Sequence, residues 1–378
     1  MTNPADRKLR VGVIFGGRSG EHEVSLVSAT SIINALDKTK YDVVPIGITK
    51  EGRWISSQES LQLLKSKEGL ERAPQRFLVP EPTRQSLVSL SGDTRTEMKL
   101  DLVFPVVHGT FGEDGTLQGL LELANLPYVG AGVLASAVGM DKIVQKQLHK
   151  QAGLPIVKYS WFLSAHCRAN PKRVAVAVEK TLRYPVFVKP ANTGSSVGIS
   201  KAHDRRELLA AVELAAEYDR KVIVEQGVRN AREIEVSVLG NDEPIASVPG
   251  EIIPSSEFYD YDAKYVDGKS RAEIPAKMPK ETARQLRQLA VKAFTTLDCA
   301  GMARVDFFVT KKSNRIFLNE INTIPGFTSI SMYPKLWEVS GISYSQLLDR
   351  LIQLALDRYE ENGKSRTTYR PREEWYIS

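Results

Sequence analysis

The sequence predicts an α/β chain that turns α+β in its second half, and three observations carry that prediction. Residues 11–15 are an apolar run closed by Gly16-Gly17-Arg18-Ser19-Gly20 and followed by a helical stripe, which opens a parallel α/β unit. Residues 100–107 form a second buried-type strand that ends at His108-Gly109. Further along, residues 302–309 and 316–321 face each other across the polar turn 311–315, the pattern of an antiparallel hairpin. A chain of 378 residues has room for two or three domains, each with its own core.

The elements follow in order. A helix beginning near Ser25 carries Leu26, Ala29, Ile33 and Leu36 on one stripe, and residues 41–48 read as the next strand. Residues 56–98 are polar and weakly patterned, which suggests a surface lobe. The small residues of 130–139 are a candidate domain boundary. A helix over 140–152 comes next, stopped by Gly153 and Pro155. Strands are expected at 186–189 and 222–225 around a helix at 205–217. Residues 233–239 alternate cleanly, and the turn Gly240-Asn241-Asp242 asks for an antiparallel neighbour. Residues 254–275 are long, polar and tyrosine-bearing, and a loop of that length in a compact protein is usually functional or disordered. Helix signals return at 280–297 and 345–358, before a polar tail from Gly363.

Composition excludes several classes. Hydrophobic and charged contents of 42% and 25% are those of an ordinary globular protein. Cys167 and Cys299 make neither a disulfide framework nor a metal-ligand spacing, which suggests a reducing compartment. Residues 1–10 are polar, with no leader-like core, and no apolar run reaches the length of a membrane span. The expected location is the cytoplasm. A net charge of +6 raises the question of nucleic acid, but no recognition motif accompanies it. The surplus suits nucleotide phosphates and surface solubility better.

The hairpin carries the strongest chemical signal. With 311–315 as its loop, Thr310 faces Ile316, Asp306 faces Glu320, and Arg304 faces Asn322. Side chains alternate along a strand, so these four charged or amide groups share one face, and Val305, Phe307 and Val309 take the other. Two carboxylates and an amide suit a hard cation that keeps open positions for phosphate oxygens, which favours Mg²⁺. A solvated face with an incidental ion pair is the competing reading.

Other segments are suggestive singly. The 16–20 turn could hold an anion, but its glycine spacing is not the dinucleotide fingerprint, and the second strand ends in Ile48-Thr49 rather than a ribose-binding acid. Glu21 after it suits an ammonium group. Lys189 ends a buried strand before Ala191-Asn192-Thr193-Gly194-Ser195-Ser196, whose amides and charge suit phosphate without Walker order. Lys142, in the first turn of its helix, is a second candidate for phosphate or plain surface charge. Glu225 and Glu233 flank a linker and could read an adenine amino group and ribose hydroxyls. His108 could touch a substrate carboxylate or support one that does. His149, His166 and His203 read as surface positions.

Together the segments GGRSGEHEVSL from Gly16, HGTFGEDGTLQGLLEL from His108, GMDK from Gly139, VKPANTGSSVGIS from Val188, EFYDYDAKY from Glu257, ARVDFF from Ala303 and NEINTIPGFTSISMYP from Asn319 resemble the D-alanine–D-alanine ligase family of the ATP-grasp superfamily. They keep the family's order across residues 10–358. The resemblance implies an N-terminal α/β substrate domain (1–139) and two ATP-grasp subdomains (140–230 and 231–378), with nucleotide between two antiparallel sheets, a lid at 254–275 and a catalytic hairpin at 302–322. It implies ATP and Mg²⁺ (or Mn²⁺), two ions, as cofactors, D-alanine as substrate and a homodimer, with no nucleic-acid or membrane partner. Lys142, Lys189 and Lys264 would contact phosphates. Glu225, Glu233 and the Val228 backbone would hold the nucleoside, and Asp306, Glu320 and Asn322 the metal. Glu21 would bind the first D-alanine's ammonium group with His108 nearby. Arg304 and the Gly326 amide would stabilise the anionic intermediate, Ser331 and the Met332 backbone would hold the second carboxylate, and Glu21, Ser195 and Tyr265 would bond together under the lid. One departure is the linker at 225–232, which lacks an aromatic residue some members carry and is one residue longer.

Overall fold

The computed structural model describes residues 7–67, 70–89, 96–194, 197–253, 271–328 and 330–369. β1 (Leu9–Gly16) and β2 (Tyr41–Ile48) run parallel, joined by the helix His22–Ala35, and the short β3 (Trp54–Ile55) lies antiparallel on the edge of β2. The helix starts three residues earlier than expected and buries Leu26, Ala29, Ile32 and Leu36, with Ile33 only partly covered. The expected lobe has structure of its own: a helix, Ser60–Ser66, and a three-stranded sheet of β4 (Arg76–Leu78), β5 (Ser86–Ser89) and β6 (Glu97–Lys99). Strands of three or four residues are too short to show a period. β7 (Leu102–Pro105) then returns to pair parallel with β1.

The small-residue stretch expected as a boundary is largely the helix Val133–Met140. Asp141 breaks it from the next helix, Lys142–Gln151, by adopting an extended backbone and accepting the Ile143 and Val144 amides, an N-cap. That cap puts Lys142 in the first turn and Lys146 one turn on. The following sheet is antiparallel throughout: β8 (Tyr159–Leu163), β9 (Val186–Pro190), β10 (Ser200–Ala202) and β11 (Lys221–Gln226), in spatial order β10-β9-β11-β8.

The last sheet is the largest. β12 (Ala231–Gly240), β13 (Ile245–Ala246), β14 (Gly250–Ile253), β15 (Arg271–Glu273), β16 (Gly301–Thr310) and β17 (Ile316–Asn322) assemble in the order β15-β14-β12-β16-β17, with β13 antiparallel to β12 as the 240–242 turn demands. Ile234, Val236, Val238, Val305, Phe307 and Val309 meet Leu286, Ala290 and Phe294 of the helix Lys280–Thr296 in one core. Alternation then forces Glu233, Glu235, Arg304 and Asp306 onto the other face.

The hairpin register differs from expectation in an instructive way. Val309, not Thr310, faces Ile316, so the turn is one residue longer. A β-bulge between Asp306 and Phe307 corrects the slip, because Phe307 faces Leu318 while Asp306 faces Glu320. Asn319 is the extra residue. Without the bulge the longer turn would move the acids one place along.

Candidate active site

The polar face of the last sheet and the inner ends of β9 and β11 enclose a cavity of about 750 Å³. Glu21, His108, Lys142, Lys189, Glu225, Val228, Glu233, Arg304, Asp306, Glu320, Asn322 and Gly326 all line it. Ser331 sits behind Gly326, where a Cβ placed on that glycine would come 2.8 Å from the Ser331 Oγ, and the side chain of Met332 packs instead toward Gly250 and Ile252. Ser331 also accepts the Thr328 amide at 3.0 Å and precedes the helix Met332–Val339. Ser195, Lys264, Tyr265 and most of the expected lid lie outside the described residues.

Three carboxylates form a row across three strands. Glu235 faces Asp306 across β12 and β16, and Asp306 faces Glu320 across β16 and β17. Like charges so placed repel. Arg304 answers them, with Nε and Nη2 donating to the Asp306 oxygens at 2.7 and 2.8 Å and Nε standing 3.1 Å from the Glu235 Oε2. The Asn322 amide donates to Asp306 at 3.0 Å. No group of three His, Cys, Asp or Glu among the described residues is arranged as a ready metal site. The oxygen donors are those a hard cation takes, two carboxylates and an amide, and they share one face.

Opposite stands a cluster of lysines. Lys146 and Lys189 hold the Glu225 carboxylate at 2.9 and 2.6 Å, and the Lys146 ammonium also donates to the Asn319 carbonyl at 2.8 Å. The bulged residue thus ties the β16–β17 hairpin to the lysines, and its side-chain oxygen lies 3.4 Å from the Lys189 Nζ. Burial alone would raise the Glu225 pKa, but the two ammonium groups outweigh it and hold the carboxyl down at about 2. Lys142 is buried rather than a surface charge. It donates to the Thr193 carbonyl at 2.7 Å and stands 3.8 Å from Glu320.

At the far end Glu21 is buried between two glycines. A Cβ on Gly194 would fall 2.2 Å from its Oε2, and one on Gly109, where φ is +75°, would fall 2.6 Å away. Ser19 donates to the His108 carbonyl at 2.8 Å and stitches the two glycine loops together. Both nitrogens of His108 are engaged by protein. Nδ1–H donates to the Ile324 carbonyl at 3.0 Å, which leaves Nε2 to accept from the Ser28 hydroxyl at 3.1 Å. Burial lowers its pKa and keeps the ring neutral, so His108 supports the site rather than pairing with an anion. Glu113 accepts the Gly109 and Ile324 amides at 2.8 and 3.1 Å, and burial together with the Glu21 charge pushes it up to about 8.

Family models of the D-ala D-ala ligase N-terminus and C-terminus match residues 10–131 and 148–353. The chain belongs to the D-alanine–D-alanine ligase family. Curated D-alanine–D-alanine ligases of Acetivibrio thermocellus and Chloroherpeton thalassium are 52% and 54% identical to it, each match covering 94% of this chain and 98% of the relative. Among solved structures, the D-alanine–D-alanine ligase of Coxiella burnetii is similar at a TM-score of 0.82 and 40% identity, covering 94% of this chain and 96% of that one. The VanG D-Ala:D-Ser ligase of Enterococcus faecalis has the same TM-score and identity, over 92% of this chain and 100% of that one. The ligase family is ATP-dependent, which implies a nucleotide and a divalent cation. No described helix of this ligase family member is long and apolar enough to cross a membrane.

Sequence reasoning missed four functional positions. Lys146 repeats Lys142 at i+4 on one helix face, and Glu235 repeats Glu233 at i+2 on one strand face, so periodicity could have found both. Glu113 lies within a motif already singled out. Nothing local marks Asn319 as a bulge. His149 corrects an expectation: it is buried, not superficial, and its Nε2–H donates to the Ala293 carbonyl.

Proposed function

We propose that the chain joins two D-alanine molecules into D-alanyl-D-alanine, coupled to conversion of ATP to ADP and phosphate, for peptidoglycan precursor synthesis. The observation that carries this reading is the 3.8 Å approach of Lys142 to Glu320 inside the cavity that also holds Glu21. It sets a phosphate-type lysine against cation-type acids beside an ammonium-type carboxylate.

A carboxylate acylates poorly because oxide would have to leave. In the proposed reaction an oxygen of the first D-alanine's carboxylate bonds to the γ-phosphorus and ADP departs. The second D-alanine's amine then adds to the carbonyl carbon, phosphate leaves, and the nitrogen gives up a proton. Glu21 orients the first ammonium group. Arg304 and the Gly326 amide face the oxyanion, and loss of one such donor usually slows an enzyme by roughly 10²–10³-fold. Ser331 and the Met332 amide hold the second carboxylate. Lys142, Lys189 and Lys264 face the phosphates, and Glu225, Val228 and Glu233 the nucleoside. Asp306, Glu320 and Asn322 would hold Mg²⁺ or Mn²⁺, two ions in the full site, and the cation would neutralise charge on the phosphate oxygens. Ser195 and Tyr265 carry over from the family resemblance as partners of Glu21, and the acyl phosphate has to be kept from water.

The three units 1–139, 140–230 and 231–378, a homodimer through the first of them, and a cytoplasmic location belong to the same proposal. The testing assay supplies ATP, Mg²⁺ and D-alanine and measures phosphate and dipeptide, with D-serine and D-lactate as competitors for the second position. Phosphate and D-alanyl-D-alanine in equal amounts are expected. D-alanine that fails to stimulate phosphate release would overturn the reading.

A further inference from the structure

We propose that Glu235 is a positioning residue that receives the Arg304 guanidinium when a divalent cation takes Asp306. The inference rests on the reading that Asp306, Glu320 and Asn322 hold that cation. Its starting point is that acids outnumber cations in this row among the described residues. Glu235, Asp306 and Glu320 stand in register on one face of three adjacent strands, and two of them complete the metal-type trio without Glu235. A third acid directly opposite Asp306 makes the row less stable unless something positive shares it.

Arg304 is that positive group. It lies two residues from Asp306 on the same face of β16, and its fork covers both Asp306 oxygens while Nε also faces Glu235 at 3.1 Å. Mg²⁺ takes its oxygen ligands at about 2.0–2.1 Å, so on Asp306 it meets a guanidinium already spread over the same two atoms. A cation and a guanidinium on the same carboxylate repel each other, and the repulsion is relieved when the guanidinium swings aside as the cation arrives. Glu235 lies across the ladder from Asp306, roughly 4.5–5.5 Å away at Cβ, so a rotation of the Arg304 side chain is enough to complete the transfer. The transfer keeps the guanidinium paired and frees the Asp306 oxygens for the cation.

Two simpler roles compete: Glu235 could attract the cation merely by its charge, or ligate it directly. Both act without Arg304, and that difference decides the test. Mn²⁺ binding to the full chain, saturated with a non-hydrolysable ATP analogue, is measured by electron paramagnetic resonance for wild type, Glu235→Gln, Arg304→Met, the double variant and Asp306→Asn. Glu235→Gln is expected to weaken Mn²⁺ binding about tenfold. Arg304→Met is expected to tighten it, and in that background Glu235→Gln is expected to change it by less than about twofold. Equal weakening in both backgrounds, or none in either, would overturn the handover. If Glu235→Gln does not fold, Glu235→Asp keeps the charge and withdraws it by one methylene, and its smaller weakening should vanish in the Arg304→Met background too. Asp306→Asn that leaves Mn²⁺ affinity intact would sink the metal assignment itself, a result separate from failure of the handover.

Discussion

Two charged layers face each other across the cleft, and they are balanced differently. In the lysine layer a single carboxylate, Glu225, is gripped by two ammonium groups, and the side chains of Glu225 and Lys146 are only 3% and 1% exposed. In the acid row three carboxylates share Arg304, with Lys142 at one end, and their side chains are 11–23% exposed. In the first layer the buried carboxylate is fully matched, which ties the layer to the fold, and one ammonium charge remains in excess for an anion. Among the described residues the second carries more carboxylates than cations, which suits a surface that takes up a cation. The same residue types therefore do different work according to how completely the fold neutralises them.

The sharpest way to break this contrast is to alter the acid row. Asp306→Asn and Arg304→Ala should each lower ATP- and D-alanine-dependent phosphate release by roughly 10²–10³-fold or more. Asp306→Asn should hardly move stability, because it also removes one of three repelling charges, whereas Arg304→Ala should lower it modestly by leaving the carboxylates without the guanidinium they share. Phosphate release and a thermal melt on the same preparations check both halves. A variant that melts far below wild type would place the acid row among the scaffold.

The lysine layer should respond in the opposite order. Glu225→Gln leaves Lys146 and Lys189 buried beside a neutral amide, and breaking a buried pair this way usually costs about 3–5 kcal/mol. Denaturant titration should show that loss even with no nucleotide present. Unchanged stability would mean that Glu225 serves the nucleoside alone.

What the sequence made legible follows the same division. The acid row lies on strands whose alternation is regular, so Arg304, Asp306, Glu320 and Asn322 could be placed on one face from spacing. The pairing survived a wrong turn length only because the Asn319 bulge restored it, and a bulge depends on what the strand meets: here the Lys146 ammonium bonds its carbonyl. The lysine layer joins a helix, two strands of one sheet and a bulge in another. No local pattern reports such a junction, so spacing alone points neither to Lys146 nor to the two lysines that hold Glu225. The short strands of 76–99 were hidden for a simpler reason, their length.

The smallest expected effect extends the lysine layer one turn along its helix. His149 is buried on the same helix as Lys146 and donates to the Ala293 carbonyl at 3.3 Å. Burial lowers its pKa to about 4, with the nearby Lys146 charge adding to the fall. Between pH 6.5 and 4 the unfolded chain then binds a proton that the folded chain refuses, so His149 tilts stability downward as pH drops through that window. At pH 5 the penalty is about 2 kcal/mol and at pH 7.5 it is close to zero, an order-of-magnitude figure. Glu225, held at about 2 in the folded chain, adds to the same fall at the acid end of that window, where the unfolded carboxylate begins to take up its proton. Glu113, raised to about 8, tilts the curve the other way, because the folded chain holds its proton longer than the unfolded one. Only the difference between wild type and a variant therefore isolates the histidine. His149→Gln keeps a donor for the Ala293 carbonyl and removes the titration. Urea midpoints at pH 7.5 and pH 5 should separate the two proteins by about 2 kcal/mol more at the lower pH. Parallel curves would mean that His149 accepts its proton in the folded state, and that the positive charge of the lysine layer does not reach it.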